Sequence, residues 1–287
     1  MKKLIVLGSN GQLGKKIVCD FEAFFDVTPL DRNSCDITKF DDLKELFSKY
    51  KPDIVINCAA YTNVDLAEKE SKKCFLVNFN AVENLAKLSN IYDYTLIHFS
   101  TDYVFNSKKK TPIKENDTQH PINIYGKSKL KGEQAIEQIS RKYYTFRISW
   151  VYSNFGMNFP KTILKLAKEK EVLDIVNDQY GCPTPVELIS KIVHLALKKN
   201  IPIGTYNVSP DGCCSWYEIA QKILDYTNTN KSYILKNING VSSSEFRSVA
   251  RRPKFSLLDN NKIKDALDIR IDDWALYFKE FIHRENI

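Results

Sequence analysis

A chain of 287 residues can bury a substantial core without a disulfide or metal staple. Its 43% hydrophobic and 27% charged residues suit a globular protein, and its 12% aromatic share argues against disorder. The net charge of +7 reads as a lysine-rich solvated surface, with a basic groove for an anionic ligand as the second reading. No basic run is interleaved with aromatics, so nucleic acid is not an expected partner. The run Lys108, Lys109 and Lys110 reads as solvated surface. Seven cysteines and four histidines are scattered without a C-x-x-C pair, which points to neither a zinc site nor a disulfide framework. Reduced thiols imply a cytoplasmic setting. The apolar run Leu4 to Leu7 ends at Gly8, too short for a signal peptide or a membrane span.

In chain order, short apolar runs at Leu4–Leu7, Val27–Leu30, Ile54–Asn57, Thr95–Ser100 and Tyr144–Ile148 lack polar alternation. That is the pattern of parallel strands covered on both faces. Helices are predicted between them. One begins at Thr38 as N-cap, with Asp41 three residues on and apolar groups at Phe40, Leu43, Leu46 and Phe47. Another spans 67–90 and a third spans 125–140. This alternation predicts an α/β fold, a Rossmann-like doubly wound parallel sheet. After Trp150 the rhythm loosens into helices over 158–170, 185–199 and 216–226, separated by irregular segments. Residues 1–150 are therefore expected to form a dinucleotide-binding domain, with the helix near 185–199 free to return to it. Residues 151–287 are read as a smaller, mainly substrate-binding region.

Gly8, Gly11 and Gly14 follow the first strand and open a helix. Glycines let the backbone approach a pyrophosphate, and the helix N-terminus offers unpaired N–H groups. The spacing is G-x-x-G-x-x-G rather than G-x-G-x-x-G, so position between strand and helix carries the argument. Asp31 ends the second strand, where a carboxylate can hold an adenosine ribose, and Arg32 after it can hold the extra phosphate of NADP. The two residues leave NADPH and NADH both open.

Tyr125 and Lys129 stand four apart at the start of a predicted helix and so share one face. A carbonyl reductase needs a proton donor, and a nearby ammonium makes a phenol a better acid. With 15 tyrosines in a lysine-rich chain, such a pair carries little alone. Its context is a strand ending at Ser100-Thr101-Asp102, at the sheet edge where such folds bind ligands. There the Thr101 hydroxyl can hold a substrate carbonyl.

These residues resemble the extended short-chain dehydrogenase/reductases and, more narrowly, the dTDP-4-dehydrorhamnose reductase family. The matching segments are GSNGQLG from Gly8, NCAAYTNVD from Asn57, STDYVF from Ser100, YGKSK from Tyr125, RISWVY from Arg147, DQYGCPT from Asp178, and Arg252-Pro253. They span residues 8 to 253 in the family's order. The segment from Lys231 to Ser248 matches nothing with an assigned role.

The resemblance implies hydride transfer from NADPH or NADH to C4 of dTDP-4-dehydro-L-rhamnose. Tyr125 would donate the proton, Lys129 would support it and position the cofactor ribose, and Thr101 would hold the carbonyl oxygen. Gly11, Gln12 and Leu13 would wrap the pyrophosphate, with Asp31, Asp36 and Ile37 near the adenosine. Ala60, Tyr61 and Thr62 would line the cofactor path, and Asp102 and Trp150 would touch the sugar. Asn78 would steady a neighbouring strand. Core packing is the other reading of Trp150. Asp178, Gln179 and Thr184 are read as a sugar pocket or a turn, and Arg252 as a pyrophosphate ligand or surface. A homodimer is expected by the same resemblance, and no metal ligand set is. Two other functions fit the residues: a reductase or epimerase of another nucleotide sugar, and a non-catalytic subunit like the β subunit of methionine adenosyltransferase.

Overall fold

Six parallel strands run through the centre of the computed structural model, which describes residues 1–107, 110–227 and 232–285. The strands are β1 (Lys3–Leu7), β2 (Asp26–Leu30), β3 (Ile54–Asn57), β4 (Thr95–Thr101), β5 (Tyr143–Ile148) and an edge strand at Gly204–Asn207. Across the sheet the order is edge strand, β5, β4, β3, β1, β2. Along β1, Leu4 and Val6 face one core cluster while Ile5 and Leu7 face another, as a strand covered on both sides requires. Pro29, which has no N–H to donate, falls in β2, at the edge of the sheet.

Helices α1 (Gln12–Phe21) and α2 (Phe40–Tyr50) lie on opposite faces. The predicted N-cap of α2 is displaced by one residue. Lys39 holds that place, because the Thr38 hydroxyl donates to Asp36 Oδ1 at 2.7 Å and is engaged in the preceding turn.

The single helix expected over 67–90 is interrupted. A short α3 (Val64–Ala67) precedes α4 (Ser71–Phe75), a π-turn at Leu76–Asn80 and α5 (Ala81–Tyr92). The π-turn has a tertiary cause. Asn78, within it, accepts the Tyr61 N–H at 2.8 Å and donates to the Tyr61 carbonyl at 3.0 Å and to Ser128 Oγ at 3.0 Å. A π-turn inside a helix commonly marks such a demand. The amide steadies the loop after β3 rather than a strand.

Helix α6 (Ile124–Ile139) is capped by Asn123, whose Oδ1 accepts the Gly126 N–H at 2.7 Å. A side chain at Gly126 would run into the Tyr103 carbonyl, and one at Gly132 into the Asn78 carbonyl. The helix therefore lies close on both the turn after β4 and the π-turn.

Beyond β5, α7 (Phe159–Leu166) is capped by Asn158 and ends before the expected residue 170. Helix α8 (Val186–Lys199) packs with α1 in the core on one face of the sheet, and the edge strand pairs with β5. Helix α9 (Trp216–Thr227) packs with α7, Phe278 and Phe281 in a separate core cluster, beside a parallel strand pair at Val172–Val176 and Asn237–Val241.

Among the described residues one ion pair is buried on both sides. Arg147 Nη2 meets Glu133 Oε2 at 2.7 Å, with the two side chains 2% and 5% exposed. Arg147 Nε contacts both Glu133 oxygens, and the guanidinium lies over the Phe105 ring. Glu133→Gln leaves the arginine charge buried without its counter-ion, so denaturant unfolding should show a loss of about 3–5 kcal/mol. A loss below about 1 kcal/mol would mean the pair is no more than a surface contact in effect.

Candidate active site

Strand order reverses between β1 and β3, and the turns leaving both strands open at the same end of the sheet. Gly8 leaves β1 with φ of +74°, a conformation that L side chains rarely adopt. A side chain at Gly14 would meet the Gly8 carbonyl, so α1 begins tightly against the turn. No side chain caps α1, whose first-turn N–H groups are left for a ligand.

Two cavities adjoin here. The first, about 430 Å³, is lined by Gly8, Gly11, Asp31, Arg32, Asp36, Ile37, Ala60 and Tyr61, and also by Lys73. The second, about 620 Å³, is lined by Gly11, Gln12, Leu13, Gly14, Ala60, Thr62, Thr101, Asp102, Tyr125, Lys129 and Trp150. Asn10, Gly11, Cys58 and Ala60 border both, so the two form one groove. The residues read from the sequence for the glycine turn, the adenosine end, the cofactor path and the reacting end all lie along it. A long groove with a bare helix N-terminus at its middle fits a dinucleotide.

Asp31 is more committed than its position in sequence implies. Its Oδ1 accepts the N–H groups of Asn33 and Ser34, at 3.0 and 2.9 Å, and its Oδ2 accepts from Asn10 at 2.6 Å. The bonds to Ser34 and Asn33 hold its carboxyl below the usual range. Asp36 is likewise held down by Thr38. The Arg32 guanidinium forms no ion pair among the described residues, although it attracts Asp36 electrostatically.

At the other end of the groove, β4 delivers Thr101 and α6 delivers Tyr125 and Lys129. Tyr125 stands with Thr101 in the wall of the second cavity. Burial pushes Tyr125 above the ordinary phenol range, so it is protonated at neutral pH. Burial acts oppositely on Lys129, bringing it down to about 8. Lys129 Nζ donates to the Phe99 carbonyl at 2.5 Å and lies 3.1 Å from His98 Nε2. Asp102 is fully buried: its Oδ1 accepts from Thr101 at 3.0 Å, its Oδ2 has no hydrogen-bond partner among the described residues, and burial raises its carboxyl to about 7.

Trp150 adopts φ of +45°, a left-handed conformation that costs a bulky residue about 1–3 kcal/mol. It stacks on Trp216, with ring centroids 3.7 Å apart and planes 14° from parallel. Both indoles line the second cavity, and Phe159 packs behind Trp216. Sequence reasoning missed Trp216. It registers only as the first residue of a helix, with no motif around it.

A third cavity, about 780 Å³, is lined by Lys110, Asp178, Gln179, Tyr180, Arg251, Arg252, Lys254 and Phe255 among others. It gathers residues for which two readings were open. Asp178 and Gln179 lie in its wall and are bonded to Ser243, while Thr184 pairs instead with Val151 away from it. Arg252 reaches the cavity, but its Nη2 is paired with Asp65 Oδ2 at 2.6 Å. Lys110 is exposed at the same cavity, and Lys108, Lys109 and Lys231 lie outside the described residues. The rest of the unassigned segment from Lys231 to Ser248 supplies Ser243, Ser244 and Ser248 to the wall.

A doubly wound sheet with a bare glycine turn, and Tyr125, Thr101 and Lys129 gathered in the cavity beside it, defines a nicotinamide-dependent oxidoreductase. The family model described as RmlD substrate binding domain matches residues 1–287. The dTDP-4-dehydrorhamnose reductase of Aggregatibacter actinomycetemcomitans is 36% identical over 97% of this chain and 98% of its own length. The spore coat polysaccharide biosynthesis protein SpsK of Bacillus subtilis is 35% identical over 100% of this chain and 99% of its own. The crystal structure of the dTDP-4-dehydrorhamnose reductase of Bacillus anthracis in complex with NADP superposes with a TM-score of 0.93 at 36% identity, covering 99% of both chains. The chain belongs to the RmlD family of reductases. Among the described residues no helix is long and apolar enough to cross a membrane.

Gly14→Ala places a methyl group against the Gly8 carbonyl and Ser9 Cα. NADPH binding, followed by titration calorimetry, should weaken at least about tenfold while far-ultraviolet circular dichroism stays unchanged. Binding equal to the native chain's would show that the turn can relax without loss of function.

Proposed function

We propose that the protein reduces the C4 keto group of dTDP-4-dehydro-L-rhamnose to give dTDP-L-rhamnose, using NADPH or NADH. The observation that carries this reading is the gathering of Thr101, Tyr125 and Lys129 in a cavity continuous with the glycine turn. The substrate follows from the names of the relatives.

In this reading Gly8, Gly11, Gln12, Leu13 and Gly14 hold the pyrophosphate. Asp31, Arg32, Asp36 and Ile37 take the adenosine end, and Ala60, Tyr61 and Thr62 border the path toward Tyr125 and Lys129. The bound cofactor supplies the hydride. The chain supplies the proton and the setting. The Thr101 hydroxyl turns from Asp102 Oδ1 to donate to the carbonyl oxygen and fixes its position. The Tyr125 O–H bond breaks as its proton passes to that oxygen, leaving a phenolate. A positive Lys129, one helical turn on, offsets the new charge. Because the site is buried, charge compensation there is stronger than it would be in water.

The stacked Trp150 and Trp216 give the sugar an apolar wall, and the unpartnered Asp102 Oδ2 can bond a sugar hydroxyl. The third cavity, with Arg251, Lys254 and Lys110 around Tyr180 and Phe255, suits a nucleoside diphosphate. Residues 1–150, joined by the helix at 186–199, then serve the cofactor, and 151–287 mainly the substrate. Seven free thiols fit a reducing cytoplasm, and the family resemblance extends to a homodimer.

The direct test offers a panel of nucleotide 4-keto sugars and follows loss of NADPH or NADH absorbance. Consumption driven by dTDP-4-dehydro-L-rhamnose above the others is the expected result, and turnover without cofactor loss would indicate an epimerase instead. Tyr125→Phe should lower kcat at least about 100-fold while NADPH affinity changes little. Full activity in that variant would remove Tyr125 from the proton-donor role.

A further inference from the structure

Behind Lys129 lies a buried polar chain that lines neither cavity of the groove. Asn57 closes β3, and its Oδ1 accepts the Ala59 N–H at 3.1 Å. This turns Asn57 Nδ2 toward His98 Nδ1, 3.2 Å away. An amide NH₂ group only donates, so Nδ1 must accept, and a neutral imidazole then carries its proton on Nε2. Nε2 lies 3.1 Å from Lys129 Nζ. Aiming an N–H at an ammonium would oppose two donors, so this arrangement belongs to the lysine amine, whose lone pair accepts.

The surroundings agree. Among the described residues no carboxylate forms an ion pair with Lys129. Glu133, one turn further along α6, directs both oxygens to Arg147. The other titratable groups about the lysine are Tyr125 on the same helix, Cys74 on α4 and Asp102 on the turn after β4. Cys74 and Tyr125 are both raised by burial and so are neutral near pH 7.

We propose that Asn57, His98 and Lys129 titrate as one unit, in which the imidazole proton sits on Nε2 beside the lysine amine and on Nδ1 beside the lysine ammonium. In the ammonium state Nε2 accepts from Lys129. Nδ1–H then needs an acceptor, so the Asn57 amide turns its oxygen inward and gives up the Ala59 N–H. Going from ammonium to amine, one lysine proton passes to Nε2 and the Nδ1 proton departs, so the unit loses one proton in all. Burial brings Lys129 to about 8 and holds His98 well below the ordinary histidine range, so the lysine titrates while the ring stays neutral.

The unit also reaches the cofactor groove. Ala59 N packs against Gly8 so closely that a side chain there would come within 2.6 Å of it. The charge of Lys129 is thereby linked to the loop that borders both cavities. His98 and Asn57 are positioning residues in this account, acting on Lys129 and touching no reactant. Only the kinetic consequence rests on the proposed reductase activity.

Nitrogen-15 NMR of the ring nitrogens in the full chain tests the unit directly. The chain has four histidines, and the His98 signals are assigned by their absence in His98→Gln. The expected result is a neutral ring throughout, Nδ1–H at about pH 6, Nε2–H at about pH 10, and a crossover that coincides with titration of the Lys129 side chain. One tautomer across the whole range, or an imidazolium forming within it, overturns the proposal. In Asn57→Asp the carboxylate accepts Nδ1–H without turning, so the crossover and the alkaline limb of kcat should both move up by at least about one pH unit. An unmoved crossover in a folded variant also overturns it. Should the reductase reading fail, turnover is absent and the tautomer crossover is still read.

Discussion

The depth at which α6 lies on the sheet is the constraint from which the site follows. Two positions without side chains, Gly126 and Gly132, let the helix settle against the Tyr103 and Asn78 carbonyls. At that depth Lys129 reaches the Phe99 carbonyl and Tyr125 lines the same cavity as Thr101. The same packing withdraws both side chains from solvent, Lys129 wholly and Tyr125 in part, and burial moves their proton affinities in opposite senses. The phenol becomes a firmer holder of its proton and the lysine a weaker one. In the proposed reduction, the proton donor benefits from the first effect before reaction and depends on the lysine's charge afterwards.

Parts of the chain far apart in sequence are tied to this helix and its neighbours. The Asn123 side chain that caps α6 with its oxygen also donates to the Arg251 carbonyl at 2.8 Å. Asp65, at the start of α3, accepts the Ala250 N–H at 2.8 Å and pairs with Arg252. These contacts bring the 250–252 segment beside the reactive group and shape the basic third cavity. Opposite it, the Trp150–Trp216 stack joins the end of β5 to the C-terminal helical cluster. The groove is thus walled by the sheet on one side and by late-sequence segments on the other.

Buried polar groups do much of the specifying. Asn78 joins the loop after β3 to α6 through Tyr61 and Ser128, and Asn57 joins the same loop to Lys129 through His98. A satisfied polar chain of this kind admits few alternative arrangements, because each broken bond strands a buried donor or acceptor. That rigidity holds the loop at 58–62, which borders both cavities of the groove, in register with α6.

The sequence by itself determined the strand–helix alternation, the glycine turn and the location of Thr101, Tyr125 and Lys129. Those features are written in local pattern: apolar runs, helical spacing and residue types that permit a tight turn. The family segments extended that reading along most of the chain. What tertiary structure alone decided is of another kind. The π-turn at Leu76–Asn80, the commitment of Asp31 to Asn10, the partner of Arg252 and the entry of Trp216 into the second cavity all depend on residues distant in sequence. So does the environment of Lys129, which meets a histidine on β4 that in turn meets an asparagine on β3. Spacing along a chain records which face a side chain occupies; only packing decides what it meets there, and burial and hydrogen bonding then set its chemistry.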